Sequence, residues 1–278
     1  MAKGDFNAVR VLKRVLIYTA LVLAAVLFMI PLVVLVMTSI KGPREIVNIF
    51  ALPETMYWQN YVSAFERMGR GIWNSVCITV PAVVISTLVG AFGAYPLAQF
   101  RFRGDSTIFM VLLAGLFIPS QIVLIPLFQI IRALGVYDSY VGMWIVHTAY
   151  GIPICTFYLR NFFATIPRSL MEAALLDGCS VAGYFFKILL RLGKPGLAAV
   201  FILQARAIWN DLLYGNTLTR SDAVRPMTVE LATFVSQTDV QYGQLMAATV
   251  ISILPMIVMF FVFRREFISG MLGGAVKS

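Results

Sequence analysis

Six stretches of the chain are apolar for about the length that crosses a bilayer: residues 15–37, 72–97, 108–131, 140–159, 197–213 and 245–263. A helix needs roughly 20 apolar residues to traverse the hydrocarbon core, so the pattern predicts six transmembrane helices. The fold class it implies is an all-α integral membrane domain over residues 15–263, between an N-terminus at 1–14 and a tail at 264–278. The fifth stretch is short and carries Arg206 and Asp211, which makes it the least lipid-like. Proline lies in or near several stretches, at Pro31, Pro81, Pro96, Pro119, Pro126, Pro153 and Pro255. Packed bundles tolerate such breaks because neighbouring helices satisfy the freed carbonyls. Gly90, Ala91, Gly93 and Ala94 form a small-residue run in the second stretch, suited to close approach by another helix.

Three polar segments separate these stretches at length. Residues 38–71 hold Pro43, Pro53, Tyr57, Trp58 and Tyr61, an interfacial pattern with aromatic anchors. Residues 215–243 are polar and mixed in charge, and residues 160–196 form the longest basic connection. Counting Lys and Arg by connection sets the orientation. Fourteen fall on the side of the N-terminus, Arg101, residues 160–196 and the tail, against seven on the other, with Arg206 left inside a helix. The richer side is read as cytoplasmic, so both termini are inside and segments 38–71 and 215–243 are external. The basic start followed by an apolar run resembles a secretion signal. The run is longer than the roughly 7–15 residues of a signal core and lacks a small-residue cleavage site, so it reads as a retained first helix.

Composition agrees with the pattern. Hydrophobic residues make up 60% and charged residues 13% of the chain, against about 45–50% and 25% in soluble domains. Such an excess of apolar surface needs lipid to cover it. The net charge of +9 is spread between apolar stretches and not gathered into one stripe, which argues for membrane topology and against a nucleic-acid partner. Cys77, Cys155 and Cys179 are odd in number and widely spaced, giving neither a disulfide framework nor a metal site.

Little chemistry resides in the membrane segments. His147, Arg206 and Asp211 are their only strongly polar titratable residues, too few for the relay an ion-coupled pump needs. Asp211 follows Arg206 by five residues, off the ideal neighbour spacing but near enough to meet it at the helix end. His147 reads as a helix–helix contact. The sequence contains no phosphate-binding G-x-x-x-x-G-K-[ST] loop and no nucleophile–histidine arrangement. The chain is therefore expected to catalyse nothing and hold no cofactor or metal, and uphill transport would draw its energy from another chain.

Residues 166–197 are the most informative. Ser169 followed by Glu172 is a capping box, Gly178 suits a left-handed helix stop, and Ser180 can cap a second short helix running toward Leu190. Met171, Ala174, Leu175 and Gly178 fall on one helical stripe. Such a helix pair either lies on lipid as an interfacial hairpin or docks as a knob into a groove on a soluble partner.

Glu172-Ala173-Ala174, Gly178, Ile188 and Leu190 resemble the E-A-A-x3-G-x9-I-x-L loop of ABC importer permeases, with Arg191 standing where that family usually has proline. Trp209-Asn210-Asp211, Arg225-Pro226-Met227-Thr228, the run Tyr242 to Ala248 and the ending Gly270 to Lys277 are similar to the carbohydrate, maltose-type group, in particular its second, six-helix permease subunit. The resemblance implies a type I ABC importer transmembrane domain in a bacterial or archaeal cytoplasmic (inner) membrane. It implies a second permease as partner, two ATPase subunits carrying ATP and Mg, and an extracytoplasmic sugar-binding protein that meets residues 215–243. Met171, Glu172, Ala173, Ala174, Leu175, Asp177 and Gly178 would form the ATPase-coupling knob, and the tail would lie against the ATPases. Gln121, Gln129, Gln204, Asn210, Asp211, Tyr150 and Tyr158 have the chemistry for sugar contact, although amides also bridge helices. A permease for a non-sugar or sugar-phosphate solute and a secondary transporter or channel subunit are the alternatives.

Overall fold

A computed structural model describes residues 2–235 and 240–275, and these contain helices joined by turns, with no strand among the described residues. The order is α1 (Ala2–Ser39), α2 (Gln59–Gln99), α3 (Asp105–Leu116), α4 (Leu124–Ala133), α5 (Tyr140–Phe163) and α6 (Arg168–Leu176). Next, α7 (Val181–Tyr184) runs through a π turn (Phe185–Leu189) into α8 (Leu190–Leu192), followed by α9 (Lys194–Trp209), α10 (Leu213–Leu218), α11 (Met227–Val235) and α12 (Tyr242–Ala275). Three of these, Val11–Ser39 of α1, all of α2 and Tyr242–Arg264 of α12, are long and apolar enough to cross a membrane. Two compact units emerge, residues 1–67 with 234–252 and residues 68–233 with 253–278.

In the first unit, the apolar side chains of α1 stand exposed for most of its length, from Val11 to Ile30 and beyond. Aliphatic surface of this extent is compatible with lipid or a neighbouring chain, and not with water. The end of α1 is closed by Asn60, which donates to the Ser39 and Lys41 carbonyls at 3.0 and 2.9 Å. Lys41 is fully buried and its ammonium donates to the Asn48 and Ile49 carbonyls at 2.7 and 3.0 Å, fixing the following loop. The segment expected to be irregular, 38–71, is shorter than the hydropathy suggested. Helix α2 begins at Gln59, because Glu66, Arg67 and Arg70 extend the helix beyond the apolar window, and helical geometry does not require apolar side chains.

In the second unit, α2, α5 and α9 pack closely. A Cβ on Gly90 would lie 2.5 Å from the Cys155 Cβ, and one on Gly151 would lie 2.4 Å from the Gln204 Nε2 and 2.7 Å from the Ser86 Cβ. The small-residue run anticipated in α2 is thus a helix contact, with Ala91 and Ala94 fully buried. A second cluster gathers Ile78, Val83, Met143, Val146, Ala205, Ile208 and Tyr214.

Two predicted spans differ from the sequence pattern. The stretch 108–131 is not one helix: α3 stops at Leu116 and α4 starts at Leu124, with Pro119, which has no N–H to donate, between them. The stretch 197–213 ends as a helix at Trp209, where Asn210 caps the last turn by donating to the Arg206 carbonyl. Residues 215–243 include α11, and α12 continues through residue 275, so the tail begins as helix. Residues 276–278, part of the ending matched to the family, lie outside the described residues, as do 236–239 of the external segment.

Candidate functional site

The connection 160–196 forms a turn of helices anchored to α2. Ser169 does not cap it. Pro167 occupies the N-cap, with its carbonyl accepting from the Leu170 N–H, so Ser169 lies inside the first turn. Gly178 adopts φ +82°, the left-handed stop expected of it, and the Ser180 hydroxyl accepts from the Gly183 N–H at 3.0 Å to start α7. With Arg191 in place of a proline, the helix continues to Leu192, and the Gly193 N–H reaches the Leu189 carbonyl at 2.7 Å.

The stripe on α6 divides, with Leu175 and Gly178 facing outward and Met171 and Ala174 facing inward. Met171 and Ala174 are buried in the protein's own core beside Tyr95, Leu159, Phe163 and Tyr184, so they are not free to fill a partner's groove. The helix needs that face to hold on to the rest of the chain. Tyr95 fastens the neighbouring turn, donating to the Val181 carbonyl at 3.1 Å, and Gln99 donates to the Phe163 carbonyl at 2.8 Å. The outward ridge consists of Leu170, Glu172, Ala173, Leu175, Leu176, Asp177 and Gly178, all exposed, with Leu176 at 89%. Leu170 and Leu176 carry apolar area that the i, i+3 stripe did not include.

The polar candidates scatter. Gln204 is buried and ties α9 to α5 by donating to the His147 carbonyl at 3.5 Å. Asp211 does not meet Arg206. Its carboxylate accepts from the Tyr214 and Gly215 N–H groups at 3.3 and 3.0 Å and lies 3.8 Å from the His147 Nε2. The reason is the end of α9 at Trp209, which takes Asp211 out of helical register. Asn210 is a helix cap, while Gln129 and Tyr158 are exposed on α4 and α5. Only Gln121 and Tyr150 come together, on a cavity of about 640 Å³ that Ser120, Pro119, Ala149 and Pro153 also line. Tyr214, which the sequence reading did not select, stacks near Tyr150 with ring centroids 5.2 Å apart. Its signal in the sequence was slight, since it lies just past an apolar run. Among the described residues, no group of three or more His, Cys, Asp and Glu gathers.

Residues 86–271 match the family of binding-protein-dependent transport system inner membrane components. The chain belongs to this family. As an inner membrane component of this kind it is 32% identical over 265 residues, 94% of the chain and 88% of the relative, to the diacetylchitobiose uptake system permease protein of Streptomyces coelicolor. It is 34% identical to the arabinooligosaccharides transport system permease protein of Halalkalibacterium halodurans, covering 89% of this inner membrane component and 90% of that one. Its fold is similar to that of a bacterial ABC transporter involved in import of the acidic polysaccharide alginate, with TM-score 0.81, 24% identity, and 96% and 99% of the two chains covered.

Proposed function

We propose that the chain is one permease subunit of an ATP-driven, binding-protein-dependent sugar importer, crossing the membrane six times with both termini cytoplasmic. It pairs with a second permease to enclose the pathway, and two ATPase subunits that bind ATP and Mg supply the energy. An extracytoplasmic sugar-binding protein delivers solute to the external side, where residues 215–243 receive it. The sugar class is supported by the relatives named for diacetylchitobiose and arabinooligosaccharides.

The observation that carries the coupling role is the two-sided character of α6. One face, Met171 and Ala174, is fixed into the core. The other offers Leu170, Leu175 and Leu176 beside Glu172 and Asp177. Exposed leucines flanked by carboxylates suit a groove that is apolar at its centre and basic at its rim. A push on that ridge is transmitted into α2 and α5 because the buried face has no slack. Closure of the ATPases on ATP then biases the bundle between two packings.

The test is co-expression of the chain with its partner permease and ATPase, comparing the wild type with Leu176→Asp and Glu172→Ala. The expected result is at least tenfold less ATPase co-purified with Leu176→Asp, and loss of sugar-stimulated hydrolysis in Glu172→Ala, with the membrane chain still monodisperse. Two variants that retain the ATPase and respond normally would sink the coupling role.

A further inference from the structure

The interruption between α3 and α4 falls inside a stretch whose apolar side chains remain exposed, Phe117 at 84% and Ile122 at 71%. Across it, the helical ladder stops: among the described residues, the Ser120 and Gln121 N–H groups have no acceptor, and Pro119 has no N–H at all. Open backbone of this kind is not stable against hydrocarbon. It persists at membrane depth where it is buried in protein or lines a water-filled cavity, and discontinuous helices are where transported solutes are held. Here the interruption borders the 640 Å³ cavity, a size within the usual range for small-molecule sites.

The lining has a definite chemistry. No Asp, Glu, Lys, Arg or His is among its residues. The Ser120 hydroxyl donates to the Gln121 Oε1 at 3.3 Å, and the Gln121 amide N–H groups have no acceptor among the described residues. Tyr150 presents its ring, inclined at 31° to that of Tyr214. Behind it, the buried Tyr214 hydroxyl lies beside the Ser120 and Tyr150 hydroxyls and braces that ring from the protein side. Amide and hydroxyl groups exchange hydrogen bonds with a polyol, and tyrosine faces accept its C–H surface. An anion entering this site would give up water with no cation to replace it, which is unfavourable.

We infer that this chain contributes its own solute subsite to the pathway: Ser120, Gln121 and Tyr150 beside the α3–α4 interruption hold a neutral sugar ring in transit. The subsite rests on the importer reading above and adds where in this chain, and by which groups, the sugar is touched. Once the binding protein has released its cargo, these contacts keep the sugar from escaping back before the bundle turns inward.

The experiment reconstitutes the full importer with its binding protein in liposomes, supplied with labelled diacetylchitobiose and labelled arabinotriose. Sugar moved per ATP hydrolysed is compared for the wild type, Gln121→Ala and Tyr150→Phe. Gln121 is exposed on the interruption and Tyr150→Phe keeps the ring, so both variants retain the packing. The expected result is about a tenfold fall in sugar moved per ATP hydrolysed, as lost hydrogen bonds to the solute would give. Unchanged sugar per ATP in both variants overturns the subsite while leaving the importer reading intact. A wild-type importer that takes up only an anionic sugar overturns the subsite together with the neutral-sugar class. As a second readout, Gln121→Cys should react with a charged, membrane-impermeant methanethiosulfonate and be protected by the transported sugar. Reaction only with a lipid-soluble analogue would also overturn the proposal, because the interruption would then face lipid.

Discussion

Adding one methyl group at Gly90 and the same group at Gly93 should have opposite consequences. Both glycines lie in α2, three residues apart, and both face α5. A Cβ at Gly90 would lie 2.5 Å from the Cys155 Cβ and 3.1 Å from both the Cys155 carbonyl carbon and the Thr156 nitrogen. Two of those three atoms are backbone, so no rotamer change relieves them. Helix α5 would have to retreat by roughly 1 Å to restore ordinary contact, loosening a close-packed interior. A Cβ at Gly93 meets only the Thr156 side chain, at 3.4 and 3.6 Å, which is ordinary contact. Gly→Ala gains about 0.8–1 kcal/mol of helix propensity at either position, and that gain cancels when the two variants are compared. What remains is the overpacking cost at Gly90, about 1–3 kcal/mol. At about 2–4 °C per kcal/mol for a chain of this size, Gly90→Ala should melt about 2–12 °C below Gly93→Ala. The assay is the apparent melting temperature of the detergent-solubilised complex by fluorescence-detected size exclusion at one heating rate, since unfolding of such proteins is irreversible. If Gly90→Ala melts at or above Gly93→Ala, the close approach of α2 and α5 is wrong.

Two further predictions concern turns. At Gly178, φ +82° with nothing within 4 Å of a built Cβ means that the penalty for a side chain is conformational and not steric. Gly178→Ala should lose about 1 kcal/mol of stability and Gly178→Asn distinctly less, and equal melting temperatures would contradict the left-handed stop. Asp138 sits at φ 55° between α4 and α5 and accepts from the Arg220 and Ser221 N–H groups at 2.8 and 3.1 Å. Burial pushes its carboxyl upward, but these hydrogen bonds, helped by the Arg225 charge, outweigh it and hold the group below the ordinary 3.8. A depressed carboxylate stabilises the fold above its unfolded value and loses that contribution as pH falls through the folded one. The melting gap between wild type and Asp138→Asn should therefore stay constant from neutral pH to about 5 and close below 3.8. A gap that persists or widens in acid would refute the assignment.

What the sequence made legible depended on how local the cause was. Gly178 and Ser180 were readable because a left-handed stop and a hydroxyl cap are set by residues within a few positions. The glycine–alanine run of α2 was readable because small residues in an apolar stretch have few other uses. The Ser169 capping box failed for a competing local reason, since Pro167 starts the helix earlier. The α6 stripe splits, Met171 and Ala174 inward and Leu175 and Gly178 outward, because periodicity does not say where the core begins, and Tyr95, Leu159 and Tyr184 packed against the helix decide that. For the polar candidates, distant packing decided everything. Gln204 and Gln121 are the same residue type in apolar surroundings, yet one braces two helices and the other borders a cavity.

The π turn at Phe185–Leu189 has a consequence for how the chain tolerates length changes. A π turn holds one residue more than an α turn, and each helical residue advances the azimuth by about 100°. Downstream of it, Gly193 and Gly196 present bare backbone to the rings of Phe163 and Phe162, which a Cβ at either position would approach within 2.7 and 2.5 Å. The surplus residue is thus a phase setter, rotating these two notches onto the phenylalanines that close α5. Family members that lack it would need their notches one position away, so a gap in an alignment here would mark a compensated re-indexing of the helix rather than a neutral deletion.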